Sequence, residues 1–296
     1  MKFGILNFVA ESTVEPAALA KICEALGFES LFLAEHPVVP THYTRADGSK
    51  RVPEGKPPEI LCRISDLFVS LSFAAAVTTR LKLGTGICLV PERPPLLLAK
   101  EVATLDLYSK GRLIFGIGAG WNAEESAVMG VEFPRRWAVT REYVRAMKEL
   151  WTTEESSFEG KFVKFPPVYC YPKPLQKPHP PVLIGAGGLQ NGFKPERALK
   201  DTVAIGDGWA PIGLNPDQLA QGVSILKKLC GEAGRDFSKL DITLFSPPGL
   251  KDGRHTVQQY REAGAGRLVF FPPALAPDQA EAELQALARE YVHQGE

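Results

Sequence analysis

Eight times along this 296-residue chain a short, almost unbroken apolar run is followed by a stretch that reads as a helix. The runs are FGILNF at 3–8, SLFLAEH at 30–36, LKLGTGICLV at 81–90, RLIFGIG at 112–118, PVLIGAGG at 181–188, TVAIGDGW at 202–209, DITLFS at 241–246 and RLVFFP at 267–272. Strands without polar alternation are covered on both faces, as in parallel sheets crossed over by helices. Eight strand–helix units predict a (β/α)8 TIM barrel, for which about 250 residues are typical. An open doubly wound sheet is the competing architecture. The helical stretches carry their own stops: PAALAKICEALGF opens on Pro16 and ends at Gly27, and PPLLLAKEVATLDLYSKG closes on Gly111.

Two stretches interrupt the alternation. Residues 37–58 are rich in proline, glycine and charge and have no periodicity. An insertion there, at the C-terminal mouth of a barrel, predicts a lid. Residues 153–180 contain SFEGKFVKF, whose alternation about Glu159-Gly160 predicts a hairpin, then a proline-rich run. The whole chain, 1–296, reads as a single barrel domain with these two insertions.

Composition narrows the function by exclusion. Lys+Arg and Asp+Glu both number 34, so no basic surplus points to nucleic acid. No apolar stretch approaches the roughly 18 residues of a membrane span, and none precedes the first strand. Five cysteines, never spaced C-x-x-C, read as reduced thiols, and together these features predict a cytoplasmic protein. The five histidines show no metal-ligand spacing, which predicts no metal site. His179 is expected at the surface, and Asp106 is expected to cap or pair structurally, with Arg112 as a candidate partner.

The strand ends carry the chemistry. GAGWNA at 118–123 matches G-x-G-x-x-A, a dinucleotide fingerprint, but the acidic residue at the right distance, Glu142, falls in a helical run instead of at a strand end. In a barrel the same stretch is a loop at the mouth, where active sites are built. The other expected mouth positions are Asn7-Phe8, Glu35-His36, Thr85-Gly86-Ile87, Gly185 to Gly188, Gly206 to Trp209 and Phe245-Ser246. Glycines there let a backbone approach a ligand, and a Gly-Gly turn entering a helix offers N–H groups to an anion. Glycines, two tryptophans, Trp121 and Trp209, and one histidine suit a flat aromatic cofactor with a phosphate tail.

GTGICLVPERPPLLLAKEVATLDLYSKGRLIFGIGAGWNAEE, with AEH after the second strand and PPVLIGAGG at the fifth, resembles the bacterial luciferase-like superfamily. Within it the chain most resembles the deazaflavin (coenzyme F(420))-dependent oxidoreductases. The likeness spans the chain and is densest over Gly84–Glu125. It implies a barrel with insertions that binds a flavin or deazaflavin at its mouth, and a homodimer. Carried over residue by residue, it implies His36 as the catalytic histidine with Glu35 as its acid partner. It also implies a non-prolyl cis bond at Gly86–Ile87 behind the cofactor ring, and Gly187-Gly188 at the cofactor phosphate. Ala119, Gly120 and Trp121 fall at the fourth-strand cofactor loop. Ala119 stands where the luciferase proper has an arginine for the flavin phosphate, and Trp121 where sugar-phosphate-oxidising members have a glutamate.

The resemblance therefore implies an enzyme that passes a hydride between coenzyme F(420) and a small organic substrate. The alternative is an FMN-dependent monooxygenase fed by a separate reductase. A flavin- or deazaflavin-binding barrel without turnover is the third reading.

Overall fold

The computed structural model describes residues 1–42, 57–187 and 193–293. In chain order its strands are β1 (Lys2–Asn7), β2 (Ser30–Leu33), β3 (Lys82–Thr85), β4 (Cys88–Leu89), β5 (Leu113–Gly118), β6 (Glu155–Glu159), β7 (Lys164–Tyr169), β8 (Val182–Ile184), β9 (Gly208–Trp209), β10 (Asp241–Phe245) and β11 (Arg267–Phe270). The helices are α1 (Pro16–Ala25), α2 (Glu59–Cys62), α3 (Leu67–Val77), α4 (Pro95–Tyr108), α5 (Ala123–Val128), α6 (Arg136–Thr152), α7 (Glu196–Ile205), α8 (Pro216–Glu232), α9 (Val257–Glu262) and α10 (Ala280–Leu287).

The sheet runs β3-β2-β1-β11-β10-β9-β8-β5-β4, and pairing of β3 with β5 closes it. Its ladders are parallel. β3 and β4 are halves of one strand, separated by a cis peptide bond between Gly86 and Ile87, where the family resemblance implied one. Counting them as one gives a closed eight-stranded TIM barrel, not an open sheet. β6 and β7 form the expected antiparallel hairpin outside the barrel.

Alternation along each strand sorts the core into two layers. Leu6, Phe32, Ile114, Leu183, Ala210, Phe245 and Val269 fill the barrel interior. Their neighbours, such as Leu31, Leu33, Phe115 and Ile117, face the helices. Gly84 is required by this packing: a Cβ there would collide with the Phe32 ring. Local signals fix the helix starts. Pro16 opens α1, and Asp66 accepts a hydrogen bond from Val69 N at the start of α3. A reciprocal Asn215–Gln218 capping box opens α8.

At the N-terminal end of the barrel two buried arginines tie elements together. Arg267 donates to Glu29, Asp241 and Thr243. Arg112 donates to the carbonyls of Ala75, Thr78, Leu81 and Ser109 and to the Thr78 hydroxyl. The expected Asp106 partner is therefore corrected. Asp106 accepts from the backbone and side-chain amides of Gln176, while Arg112 satisfies carbonyls at the end of α3.

The run 202–209 also departs from expectation. Its first half, 202–205, is the end of α7, and only Gly208–Trp209 is strand. A short apolar run reads alike as buried strand or buried helix. Asp207 consequently sits at the start of β9, bonded to Val182 at the start of β8 and within 4 Å of Lys148, His179 and Arg235. That is the end of the barrel opposite the mouth. His179 is buried there, and burial lowers its proton affinity.

Candidate active site at the barrel mouth

The ends of β2, β4, β5 and β8 converge on one side of the mouth. His36 follows β2, and its side chain is 9% exposed. Nδ1 lies 2.8 Å from Glu125 Oε2 and 3.0 Å from Oε1. Glu125 is fully buried in the first turn of α5, and Asn122 caps that turn by accepting from the Glu124 and Glu125 amides at 3.1 Å. The cap thus fixes the carboxylate that orients the imidazole. A carboxylate accepts only, so Nδ1 carries the proton and Nε2 is left as the second, chemically available nitrogen. The Trp121 ring meets the His36 ring edge-on, with centroids 5.5 Å apart.

Glu35, next in sequence to His36, faces elsewhere. Its carboxylate accepts from Leu89 N at 2.5 Å and from Arg93 Nη2 at 2.6 Å. Arg93 also reaches Asp66, at the start of α3, at 3.1 Å. Glu35 therefore pins the end of β4 to the end of β2. The acid bonded to His36 is Glu125.

Ile87 forms a partly exposed apolar ledge over glycines. A Cβ at Gly118 would collide with Ile87 Cδ1, and one at Gly185 would come within 2.7 Å of Ile87 Cγ2. Gly86 faces Leu6 and Phe32 inside the barrel. Ala119 is buried, and Gly120 adopts φ +80° with its Cα side against Glu92. Arg136 donates from Nε to the Gly120 carbonyl at 3.1 Å. Burial and the like charge of Arg197 hold Arg136 below its ordinary pKa. Positive charge is thus concentrated near α7, whose first turn has no side-chain cap. Gly187, at φ +84°, packs against Pro195 and Ala198 at that turn. Gly188 lies outside the described residues, as do 43–56 of the expected lid.

Trp209 does not join the mouth. It is fully buried, packs against Gly222 of α8 and donates from Nε1 to the Ala186 carbonyl at 2.9 Å. Alternation explains this: Ala210 takes the inward position, so Trp209 points to the helices. The sequence reading missed two carboxyls, Glu125 and Glu92. Glu125 had one visible signal, the Asn-x-x-acid pattern at 122–125, a helix start that places an acid beside the glycine loop, and Glu92 had none. Among the described residues no helix is long and apolar enough to cross a membrane, and no His/Cys/Asp/Glu group is arranged to hold a metal ion.

Comparisons with known proteins extend this geometry. A family model described as luciferase-like monooxygenase matches residues 2–296. An uncharacterized protein of Mycobacterium tuberculosis is 36% identical over 293 residues, covering 97% of this chain and 98% of that protein. Among solved structures, the monooxygenase RslO1 from Streptomyces bottropensis superposes with a TM-score of 0.73 at 22% identity, covering 99% of each chain. The coenzyme F(420)-dependent tetrahydromethanopterin reductase from Methanopyrus kandleri does so at 0.72 and 19% identity, covering 100% of this chain and 99% of its own.

Proposed function

This chain belongs to the luciferase-like monooxygenase family of oxidoreductases, and we propose that within it the protein is a coenzyme F(420)-dependent oxidoreductase acting on a small organic substrate. The observation that carries the reading is the His36–Glu125 pair beside the Ile87 ledge at the mouth. The residues fit a flat heteroaromatic ring with an anionic tail. Ile87, lying over Gly118 and Gly185, offers an apolar backing without protruding side chains. Arg136, Arg197 and the uncapped first turn of α7 offer positive charge and free N–H groups to a phosphate. Gly187, at φ +84°, brings the chain close against the first turn of α7.

When bound, a deazaflavin supplies hydride transfer at ring carbon 5. The chain's own part is proton management and positioning. His36 Nε2 exchanges the proton that accompanies hydride transfer, while Glu125 holds the ring orientation and stabilises the imidazolium form. Trp121, edge-on to His36, covers one side of the imidazole. Glu35 acts indirectly, keeping the strand that carries Gly86–Ile87 in place through Leu89 and Arg93.

FMN-dependent monooxygenation with a separate reductase is the second reading, favoured by the family description. Ala119 weighs against it, because the luciferase arginine for the flavin phosphate is missing there and the position is buried. We further propose a homodimer. On α3, Val69 and Phe73 are 59% and 56% exposed at helical spacing, and Leu97 of α4 is 54% exposed. Two copies would cover that apolar face.

Equilibrium titration of the protein with coenzyme F(420) and with FMN, followed by absorbance and fluorescence, tests the reading. Tighter binding of coenzyme F(420) by about tenfold, or ~1.4 kcal/mol, is expected. Tighter binding of FMN would establish the second reading instead.

A further inference from the structure

Behind the His36–Glu125 pair lies a second carboxyl with no role in the reading above. Glu92 follows β4 in the P-E-R turn and is 3% exposed. Its Oε1 accepts a 2.9 Å hydrogen bond from Ser126 Oγ, and its Oε2 is buried without a partner. Ser126 follows Glu125 directly in α5, so this hydrogen bond ties Glu92 to the turn that carries the acid bonded to His36. The close approach of Gly120 completes the enclosure: a Cβ there would sit 3.0 Å from Glu92 Oε1.

We propose that Glu92 is a positioning residue for the His36–Glu125 pair, its carboxyl kept neutral so that a single negative charge stands behind the imidazole. The proposal rests on the functional reading of His36 but concerns a charge state that exists without any ligand. Two carboxylates enclosed together do not both ionise readily. The neighbouring charges support this. Burial, then the charge of Glu125, raises Glu92 from the ordinary carboxyl range to about 8, with Glu35 adding to the effect and the Ser126 hydrogen bond opposing it.

The groups facing Glu92 explain why no cation neutralises it. Arg93, its chain neighbour, is turned to Glu35, Asp66 and Glu101. Arg136 of α6 is engaged with the carbonyls of Gly120 and Phe133. His36 is bonded to Glu125. An ionised Glu92 would place charge on the buried Oε2, which has no hydrogen-bond partner to stabilise it, whereas a neutral carboxyl does not. Above about pH 8 a second negative charge arises behind His36 and alters the field in which it exchanges protons.

The test uses the full-length protein without cofactor. Carboxyl 13C NMR of glutamate-labelled protein should show one glutamate titrating near pH 8, absent from Glu92→Gln. The His36 imidazole 15N shifts should show an inflection at the same pH in wild type and lose it in the variant. Glu92→Leu, which fills similar volume without a titrating group, should lose it too. A Glu92 signal that titrates with the exposed carboxyls, or an inflection at His36 that survives both substitutions, overturns the proposal. If the variants do not fold, assignment of the wild-type carboxyl signal by selective labelling decides alone. Failure to bind either cofactor would defeat the functional reading and leave this titration untouched. In active enzyme the alkaline limb of kcat/KM near pH 8 should disappear in Glu92→Gln.

Discussion

Replacing Arg267 with methionine removes the charge at the base of the barrel but keeps most of the apolar stem. The guanidinium is buried, and it donates from Nε to Glu29 Oε2 at 2.8 Å, from Nη2 to Glu29 Oε1 at 3.0 Å, and from Nη1 to Asp241 Oδ2 at 2.8 Å and Thr243 Oγ1 at 2.6 Å. Without it the carboxylates of Glu29 and Asp241 lose their shared cation. Removing one partner of a buried ion pair costs about 3–5 kcal/mol. The side chains of Glu29 and Asp241 keep 26% and 29% exposure, so water can reach them, and the lower end, ~3 kcal/mol, applies. For a chain of this length each kcal/mol moves the melting temperature by about 2 °C, so a fall of about 6 °C is expected at neutral pH. The pH dependence adds a second check. Burial alone would push the Glu29 carboxyl up, but the hydrogen bond and charge of Arg267 hold it below its ordinary range. A depressed carboxyl stabilises the fold above its unfolded pKa and ceases to do so as pH falls through its folded pKa. The gap between wild type and Arg267→Met should therefore narrow on acidification below about pH 4. Melting by circular dichroism between neutral and acid pH measures both. A change within about 1 °C at neutral pH, or a gap that widens in acid, would refute the reasoning.

Other substitutions separate binding from chemistry. His36→Ala should slow turnover by about 10²–10⁴ through loss of proton transfer, with cofactor affinity within about threefold of wild type, as steady-state kinetics and fluorescence titration would show. Gly118→Val places atoms where Ile87 lies, so it should weaken cofactor binding by at least about tenfold; unaltered affinity would mean that the ledge does not back the ring. Sedimentation at micromolar concentration should give a dimer, and Phe73→Glu, which charges the exposed face of α3, should give a monomer of unchanged helicity. Because the Glu92 carboxyl lies above the ordinary range, it stabilises the fold most below its unfolded pKa. That contribution fades as pH rises through about 8, so wild type should lose more melting temperature than Glu92→Gln on going to alkaline pH.

The fold was legible in the sequence because a parallel barrel writes its plan into local pattern. Each apolar run bounded by glycine or proline became a strand at the expected place, except where composition is ambiguous. TVAIGDGW at 202–209 holds four residues that suit either state, and packing against α8, with which α7 shares an extensive interface, gave them to a helix. The error moved Asp207 and Trp209 from the mouth to other parts of the barrel. Arg112 shows another limit. Its charge invited an acidic partner, yet the carbonyls at the end of α3 needed donors, and a planar guanidinium with five N–H groups meets several of them at once. Unsatisfied backbone at a helix end is a property of the assembled structure that no residue pair in the sequence announces.

The mouth shows where adjacency in sequence misleads about adjacency in space. Glu35 and His36 are neighbours, so either could be read as serving the other. At the end of a strand, however, successive side chains point to opposite sides. Glu35 goes to Leu89 and Arg93, and His36 turns the other way, where its acid must come from a different unit of the barrel. That acid is 89 positions further along the chain. Its position follows from a local rule: Asn122 caps α5, which makes Glu125 the third residue of the helix and fixes its amide at 3.1 Å from Asn122 Oδ1. A capped first turn placed directly after the Gly118–Gly120 loop can deliver a carboxylate only to the mouth. The sequence therefore contained the element that aims Glu125, but not its target, because the pairing depends on β2 and β5 ending at the same side of a closed barrel.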